Sequence, residues 1–317
     1  MIVAAAKGGE EKEIVELLKL SLGESLLPKS EAFWQWKHQQ NPFGTSKVLL
    51  AREGGQLIGL RAFMQWQWHN EQTCLRAVRA VDTATHPSFQ GKGIFRKLTM
   101  QAVEECKAEG IHLVFNSPNP KSMAGYLTMG WKTVGRMPLC IAAGSLLPRK
   151  TDMIFEKQLY QRYNCIAAVS ELNNDWHESL QGTVFRSPLN KAFVKWRYAD
   201  CPVVQYGAII SAGEFGLIFR LKPLNRFYEL RICEAWLEDN AATAKAAKAF
   251  RRLRKEIRPV AISMSPGTNV LLKRAMGFWL TLKQGPLTTV RPLALEDLSS
   301  FEHFNNWAPS IGAMELF

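Results

Sequence analysis

A segment near the start of the chain returns 160 residues later. FWQWKHQQNP begins at Phe33 and FVKWRYADCP at Phe193, so Phe33 meets Phe193, Trp36 meets Trp196, Lys37 meets Arg197 and Pro42 meets Pro202. The register continues without a gap, with Val48-Leu49-Leu50 facing Ala208-Ile209-Ile210 and Leu57-Ile58 facing Leu217-Ile218. Further on, each half has a strand-like run ending in Ser-Pro (Ser117-Pro118, Ser265-Pro266) and then a Met-Gly-aromatic triplet (Met129-Gly130-Trp131, Met276-Gly277-Phe278). Such self-similarity indicates a duplicated structural unit. A chain of 317 residues is also longer than one hydrophobic core of about 250 to 300 residues comfortably serves. Two domains are expected: residues 1–140, a linker over 141–165, and residues 166–317.

The apolar spacing of the first half sets its elements. Residues 2–5 suit a strand, and 11–20 a helix with Ile14, Leu17 and Leu18 on one face. A short helix over 31–40 precedes two strands, KVLLARE and QLIGLRAFMQWQW, that end at an Asn70-Glu71 turn. CLRAVRAVDTAT reads as a long strand stopped by Pro87, residues 92–109 as a helix closed by Gly110, IHLVFN as a strand, and 121–129 as a last short helix. Antiparallel strands followed by a strand–helix–strand crossover make an α/β (α+β) sheet.

The 40 Lys and Arg against 28 Asp and Glu give a net charge of +12, which favours an acidic partner, whether a phosphorylated cofactor, nucleic acid or an anionic surface, and charge alone does not choose among them. The six cysteines, at 74, 106, 140, 165, 201 and 233, form no C-x-x-C pair. Neither a zinc site nor a disulfide scaffold is indicated, and no metal is expected. The apolar run at the N-terminus is too short for a signal peptide, and no later run reaches the roughly 18 residues of a membrane span. A cytoplasmic protein without a membrane span is the expectation; the oligomeric state is not legible.

One loop stands out. In THPSFQGKGIFRKL, Gly91 and Gly93 flank Lys92 where a helix should begin. Without a Cβ, glycine lets a ligand reach the main chain, and a helix start leaves N–H groups without partners. The amides of Gly91 to Phe95 would converge at the positive end of the helix as a phosphate cradle, with Lys92 adding charge. The spacing fits neither a P-loop nor a dinucleotide fingerprint, which fails at Arg96.

Thr85 to Gly93, with FNSPNPKSMAGYLTMGW after it, resembles the pyrophosphate loop and following segments of the GNAT superfamily of acyl-CoA-dependent N-acetyltransferases. More narrowly, VDTATHP and GKGIF with FNSPN and GYLTMGW resemble bacterial members encoded near surface-polysaccharide genes. The resemblance is specific over residues 75–135, and Phe95 stands where the family usually has Gly or Ala. It implies two tandem GNAT-like domains, each a mixed, mostly antiparallel sheet flanked by helices. It also implies that acetyl-CoA, as acyl donor, is held by Gln90, Gly91, Lys92, Gly93, Ile94, Phe95 and Arg96. Its pantetheine arm would pair with the backbone of Thr83, Ala84 and Thr85, with Asn116 on the facing strand.

The resemblance places Tyr126 at the family's general-acid position, and a phenol can protonate a leaving thiolate with little tuning. For the base, Asp82 is the nearest carboxylate, although strand alternation turns it from the face of Thr83 and Thr85 unless a bulge intervenes. His86 in its turn and the terminal carboxylate of Phe317 are further candidates.

The second half has WLEDNAAT where the first has SFQGKGIF, so Glu238 and Asp239 would repel a pyrophosphate. One CoA site is therefore expected. The helix AKAAKAFRRLRKEIR carries a basic face over 245–258 that is either simply solvated or binds a polyanion. One of Trp66 and Trp68 should face outward, available for stacking on a sugar, if their strand is half buried.

The expected function is transfer of an acetyl group to an amine on a small molecule, for example an amino sugar. Nucleic acid is not the expected partner. The rivals are a Fem-like aminoacyl transferase, which needs no intact CoA loop, and a non-catalytic acyl-CoA sensor.

Overall fold

The elements of the first half form close to where apolar spacing and turn residues put them. They are β1 (Ile2–Ala5), α1 (Glu11–Leu22), α2 (Glu31–His38), β2 (Lys47–Glu53), β3 (Gln56–His69), β4 (Cys74–Thr85), α3 (Ile94–Ala108), β5 (Leu113–Asn116), α4 (Pro120–Thr128) and β6 (Lys132–Arg136). The computed structural model describes residues 1–23, 28–178, 182–268, 270–277 and 279–314. It divides into two compact units, one built from 1–135 with 287–306 and the other from 136–286 with the segment from Trp307.

In the first unit the strand order is β1-β2-β3-β4-β5-β13-β6, where β13 is Leu287–Pro292. All its specified pairings are antiparallel except β4 with β5, which α3 joins as a crossover. Ile14, Leu17 and Leu18 of α1 pack with Trp34, Leu50, Leu60 and Ala62. Leu98, Ala102 and Val103 of α3 pack with Leu49, Phe63 and Val78. Alternate residues of β3 thus feed two different cores, and the strand is covered on both faces rather than half buried. Trp66 and Trp68, expected to offer one ring to solvent, are only 1% and 0% exposed. They stack edge-on against Phe115, so neither is available to a sugar.

The second unit contains β7 (Leu139–Ala143), α5 (Met153–Arg162), α6 (Cys165–Ser170), α7 (Lys191–Val194), β8 (Gly207–Ser211), β9 (Phe215–Leu224), β10 (Phe227–Leu237), α8 (Thr243–Ile257), β11 (Ala261–Met264), α9 (Val270–Met276), β12 (Leu280–Leu282) and α10 (Ile311–Met314). Its sheet order, β12-β7-β11-β10-β9-β8, matches β6-β13-β5-β4-β3-β2 position by position. In both sheets the two central strands are parallel, and the register slips within the one preceding the crossover: around Asp82 on β4 and Cys233 on β10. The repeat at an offset of 160 is therefore a repeat of architecture. Phe278 of the second Met-Gly-aromatic triplet lies outside the described residues.

The copies exchange a strand. β7, from the first half of the sequence, lies between β11 and β12 in the second sheet, whereas β13, from the second half, lies between β5 and β6 in the first. The division expected from sequence therefore differs from the contact units. Residues 141–165 are not a bare connector, since they carry the end of β7 and all of α5, and residues 287–306 join the first unit. Partner choice of this kind is settled by which sheet edge is open, a property no local pattern encodes.

Candidate active site

The β4–β5 pairing covers only Ala77 to Arg79 against Leu113 to Phe115. Beyond those residues β4 continues to Thr85 while β5 ends at Asn116, so the two strands part in the middle of the sheet. A bulge lies next to the parting: Arg61 pairs with Thr83 and Ala62 with Val81, leaving Asp82 as the extra residue. Bulges re-aim side chains and end pairing. Here the bulge turns Asp82 toward α2, as the strict alternation of the sequence could not.

The loop after β4 forms the cradle. Pro87–Phe89 make one 3-10 turn, with His86 Nδ1 accepting from the Ser88 amide at 3.3 Å, so His86 serves the turn. Gly91 and Gly93 have φ of 77° and 74°, and nothing lies within 4 Å of the position a Cβ would take at either. Gly93 is the cap of α3 in the left-handed region. The helix consequently starts at Ile94 and not at residue 92. The first-turn amides of a helix have no partner within the helix, which is what an approaching phosphate requires. Lys92 Nζ lies 4.6 Å from the Phe89 ring centre, and Arg96 donates to the Thr128 carbonyl at 3.4 Å. Ile94 is buried, against the position a Cβ would take on Gly59.

The other expected ligands are placed unevenly. Thr83 Oγ1 donates to the Leu60 carbonyl, and Ala84 is buried in the core under α1. The Thr85 carbonyl accepts from Ser21 Oγ at 3.0 Å and from Gln90 Nε2 at 3.4 Å. Asn116 is buried, and its Oδ1 accepts from Thr289 Oγ1 on β13, which commits that side chain to the neighbouring strand.

Tyr126 sits on α4, whose start is fixed by Asn119, a cap that accepts from the Ser122 amide at 2.9 Å, and by Pro120. The tyrosine is 3% exposed, and its ring lies edge-on to Phe95 at 5.5 Å between centroids. Its hydroxyl accepts from Arg61 Nη1 at 2.7 Å. This bond leaves the Tyr126 proton free to be donated elsewhere.

Asp82 belongs to a connected polar chain. Its Oδ2 accepts from Lys37 Nζ and from His38 Nε2, both at 2.8 Å, and His38 Nδ1 is 2.9 Å from Ser46 Oγ. Burial alone would raise the Asp82 carboxyl, but the Lys37 charge and the His38 bond outweigh it and hold the group well below the usual carboxylate range. A carboxylate so stabilised accepts protons poorly. Burial pushes the His38 imidazole down, only partly offset by Asp82, so the ring is neutral near pH 7. With Nε2 carrying the proton toward Asp82, Nδ1 accepts from Ser46. His38 and Ser46 both line a cleft of about 380 Å³ shared with Trp34, Gln39 and Gln65.

Residues 3–134 match the family described as acetyltransferase (GNAT) domain. Residues 3–134 form a GNAT acetyltransferase domain. Over 119 residues the chain is 28% identical to the L-amino acid N-acyltransferase MnaT of Escherichia coli, a match that covers 36% of this chain and 66% of that relative. Among solved structures, a probable N-acyltransferase of unknown function from Enterococcus faecalis aligns with 94% of this chain and 74% of its own, at a TM-score of 0.62 and 11% identity. A GCN5-related N-acetyltransferase from Anabaena variabilis aligns with 92% of this chain and 72% of its own, at 0.60 and 12%. These two structures establish the fold over nearly the whole chain.

Within the GNAT domain, sequence reasoning missed Lys37, His38 and Arg61. Lys37 and His38 had a signal, because they fall inside the repeated segment where a purely structural helix has no need of adjacent basic residues. Arg61 is a charged residue in the middle of an apolar strand, and that break in pattern was its signal. Among the described residues no group of His, Cys, Asp and Glu could hold a metal ion, and no helix is long and apolar enough to cross a membrane. Phe317 lies outside the described residues.

The second unit has no counterpart of the cradle. Asp239 Oδ1 accepts from the Ala241 amide at 2.9 Å and so caps the turn that leads into α8 with the protein's own charge. Beyond the parallel pairing of β10 with β11, the segment from Trp307 bonds to both strand ends. Ser310 Oγ donates to Glu234 at 2.5 Å, and the Ile311 amide donates to Ser265 Oγ at 2.7 Å. The place equivalent to the parting of β4 and β5 is thus filled by the chain itself. On α8, Lys245 pairs with Glu214 and Arg254 donates to the carbonyls of Ala143 and Gly144, so part of the basic face serves the unit's own structure.

Proposed function

We propose that the protein is an acyl-CoA-dependent N-acyltransferase that moves an acetyl group onto an amine of a small molecule. The observation that carries this reading is the combination of an open glycine turn at the start of α3 with the parting of β4 and β5 beyond Arg79 and Phe115. A diphosphate is supported there because both glycines leave the Cβ position empty and a helix start leaves its first amides without partners in the helix. CoA supplies the acyl group as a thioester.

In this reading the amides of Gly91 to Phe95, with Lys92, hold the diphosphate. The exposed main chain of β4 near Thr83 to Thr85 orients the arm. Fixing the two reactants side by side supplies the largest part of the acceleration. Tyr126 donates its hydroxyl proton to the leaving sulfur. The acceptor amine releases its proton to water, and Asp82, kept ionised by Lys37 and His38, fastens α2 to the bulge of β4. His38 and Ser46 connect that carboxylate to the open cleft and fix its orientation.

The acceptor is a small-molecule amine. The relative of known activity acts on L-amino acids, as its name states, and an amino sugar loses the aromatic platform that Trp66 or Trp68 would have given it. Both classes belong in the test. Purified protein is titrated with acetyl-CoA by calorimetry and then assayed for thiol release against amino acids, amino sugars and polyamines. Binding of one equivalent with amine-dependent thiol release is expected. Absence of CoA binding would falsify the proposal.

A further inference from the structure

Arg61 is a buried cation, and two of its three side-chain nitrogens lack a hydrogen-bond partner among the described residues. Its side chain has no solvent exposure, and the groups found against it are the rings of Phe63, Tyr126 and Phe95, at 4.7, 5.4 and 5.9 Å from the guanidinium carbon. Nη1 donates to Tyr126 Oη, whereas Nε and Nη2 have no hydrogen-bond partner among the described residues. Ring faces offset part of the cost of burying a cation, but an unpaired buried charge remains expensive and buried N–H groups are almost always satisfied. Such a group calls for a reason, and a ligand that supplies the missing partner is one.

The identity of the unused atoms narrows that partner. Nε and Nη2 form one edge of the planar guanidinium, and their N–H bonds are parallel, the fork that grips both oxygens of a carboxylate. The position narrows it further. Arg61 pairs with Thr83 at the bulge where β4 leaves β5, and its third nitrogen already touches the hydroxyl assigned to the leaving sulfur. Of the three rings around it, Phe63 and Tyr126 are buried, and Phe95, whose amide belongs to the cradle, is partly exposed.

We propose that the Nε/Nη2 edge of Arg61 is a carboxylate-binding site that selects the substrate of this domain. The inference rests on the acyltransferase reading above and names what that reading leaves open. The carboxylate belongs either to the acyl chain of the thioester, as in a dicarboxylic acyl-CoA, or to the acceptor, as in an α-amino acid. The recognition chemistry is the same in both.

Calorimetry on the full chain separates these. CoA, acetyl-CoA and succinyl-CoA are titrated first; then an amino acid and its amide are titrated into protein saturated with CoA. A carboxylate preference of about ten- to a hundredfold in one of the two series is expected, the scale of a charged hydrogen-bonded pair. The series that shows it identifies the source. Arg61→Gln should erase the preference while leaving the affinity for CoA itself little changed, and Arg61→Lys, which keeps the charge but loses the fork, should erase most of it. If either variant melts early, the wild-type ratios alone decide. Binding of CoA with no carboxylate preference in either series, or a preference that survives in a folded Arg61→Gln, overturns the assignment of Arg61 and leaves the function standing. Failure of CoA itself to bind overturns the function, and this site with it.

Discussion

Lys37 Nζ and His38 Nε2 converge on a single oxygen, Asp82 Oδ2, each at 2.8 Å. Two consecutive residues in the last turn of α2 thereby fasten the helix to the bulge of β4. Lys37 is 3% exposed and Asp82 21%, so the pair is mostly shielded from water.

Removing one partner of such a pair strands the other. Asp82→Asn is expected to destabilise the protein by about 3 kcal/mol, measured by urea unfolding, and Lys37→Met added to it should recover part of the loss. The Asp82 pKa is held below its unfolded value, so its contribution is present above about pH 4 and is lost as the pH falls below that. An acid-unfolding midpoint that does not move in Asp82→Asn would contradict this.

Tyr126→Phe deletes the proposed acid while keeping the ring that packs against Phe95 and Trp131. Turnover should fall by about 10²- to 10⁴-fold with CoA affinity little altered. Equal losses in turnover and in CoA affinity would assign the hydroxyl a binding role instead.

At Gly93 the backbone is left-handed, with φ of 74°. Gly93→Ala costs about 1 to 2 kcal/mol for that conformation and also crowds the cradle. Both the melting temperature and the affinity for CoA should drop. Because the second unit caps its equivalent turn with Asp239, calorimetry should find one equivalent of CoA per chain. Two equivalents would contradict the account of that unit.

In the second unit Glu234 is pushed up to about 7 by burial, with the neighbouring Glu178 charge adding to the shift and Ser310, Tyr198 and Arg197 opposing it. Between about pH 4.5 and 7 the unfolded chain has lost this proton and the folded chain keeps it. Stability from this group is therefore fully present below about 4.5 and declines as the pH rises through 7. Glu234→Gln should flatten the decline while keeping the bonds from Ser310 and Tyr198. An unchanged slope would show that another group titrates there.

Local pattern made much of the chain readable. Apolar spacing located α1, α3 and β2 to β5 because each of those elements buries a run of side chains, and the paired glycines marked the left-handed turn at the start of α3. Readings that depended on distant partners fared differently. The outward tryptophan failed because a second helix layer covers β3. Arg61 showed only as a break in an apolar strand, because its contacts with Phe95 and Tyr126 lie 34 and 65 positions away. The bulge at Asp82 could be stated only as a condition, since a single extra residue leaves no trace in an alternating strand.

The exchanged strands bear on how the protein comes to exist. Asn116 on β5 waits for Thr289 on β13, a residue the ribosome adds 173 positions later. A nascent GNAT domain therefore emerges with an unpaired inner edge and must be kept from sticking to its neighbours until synthesis is nearly done. The first sheet is thus completed last, although most of its strands are made first.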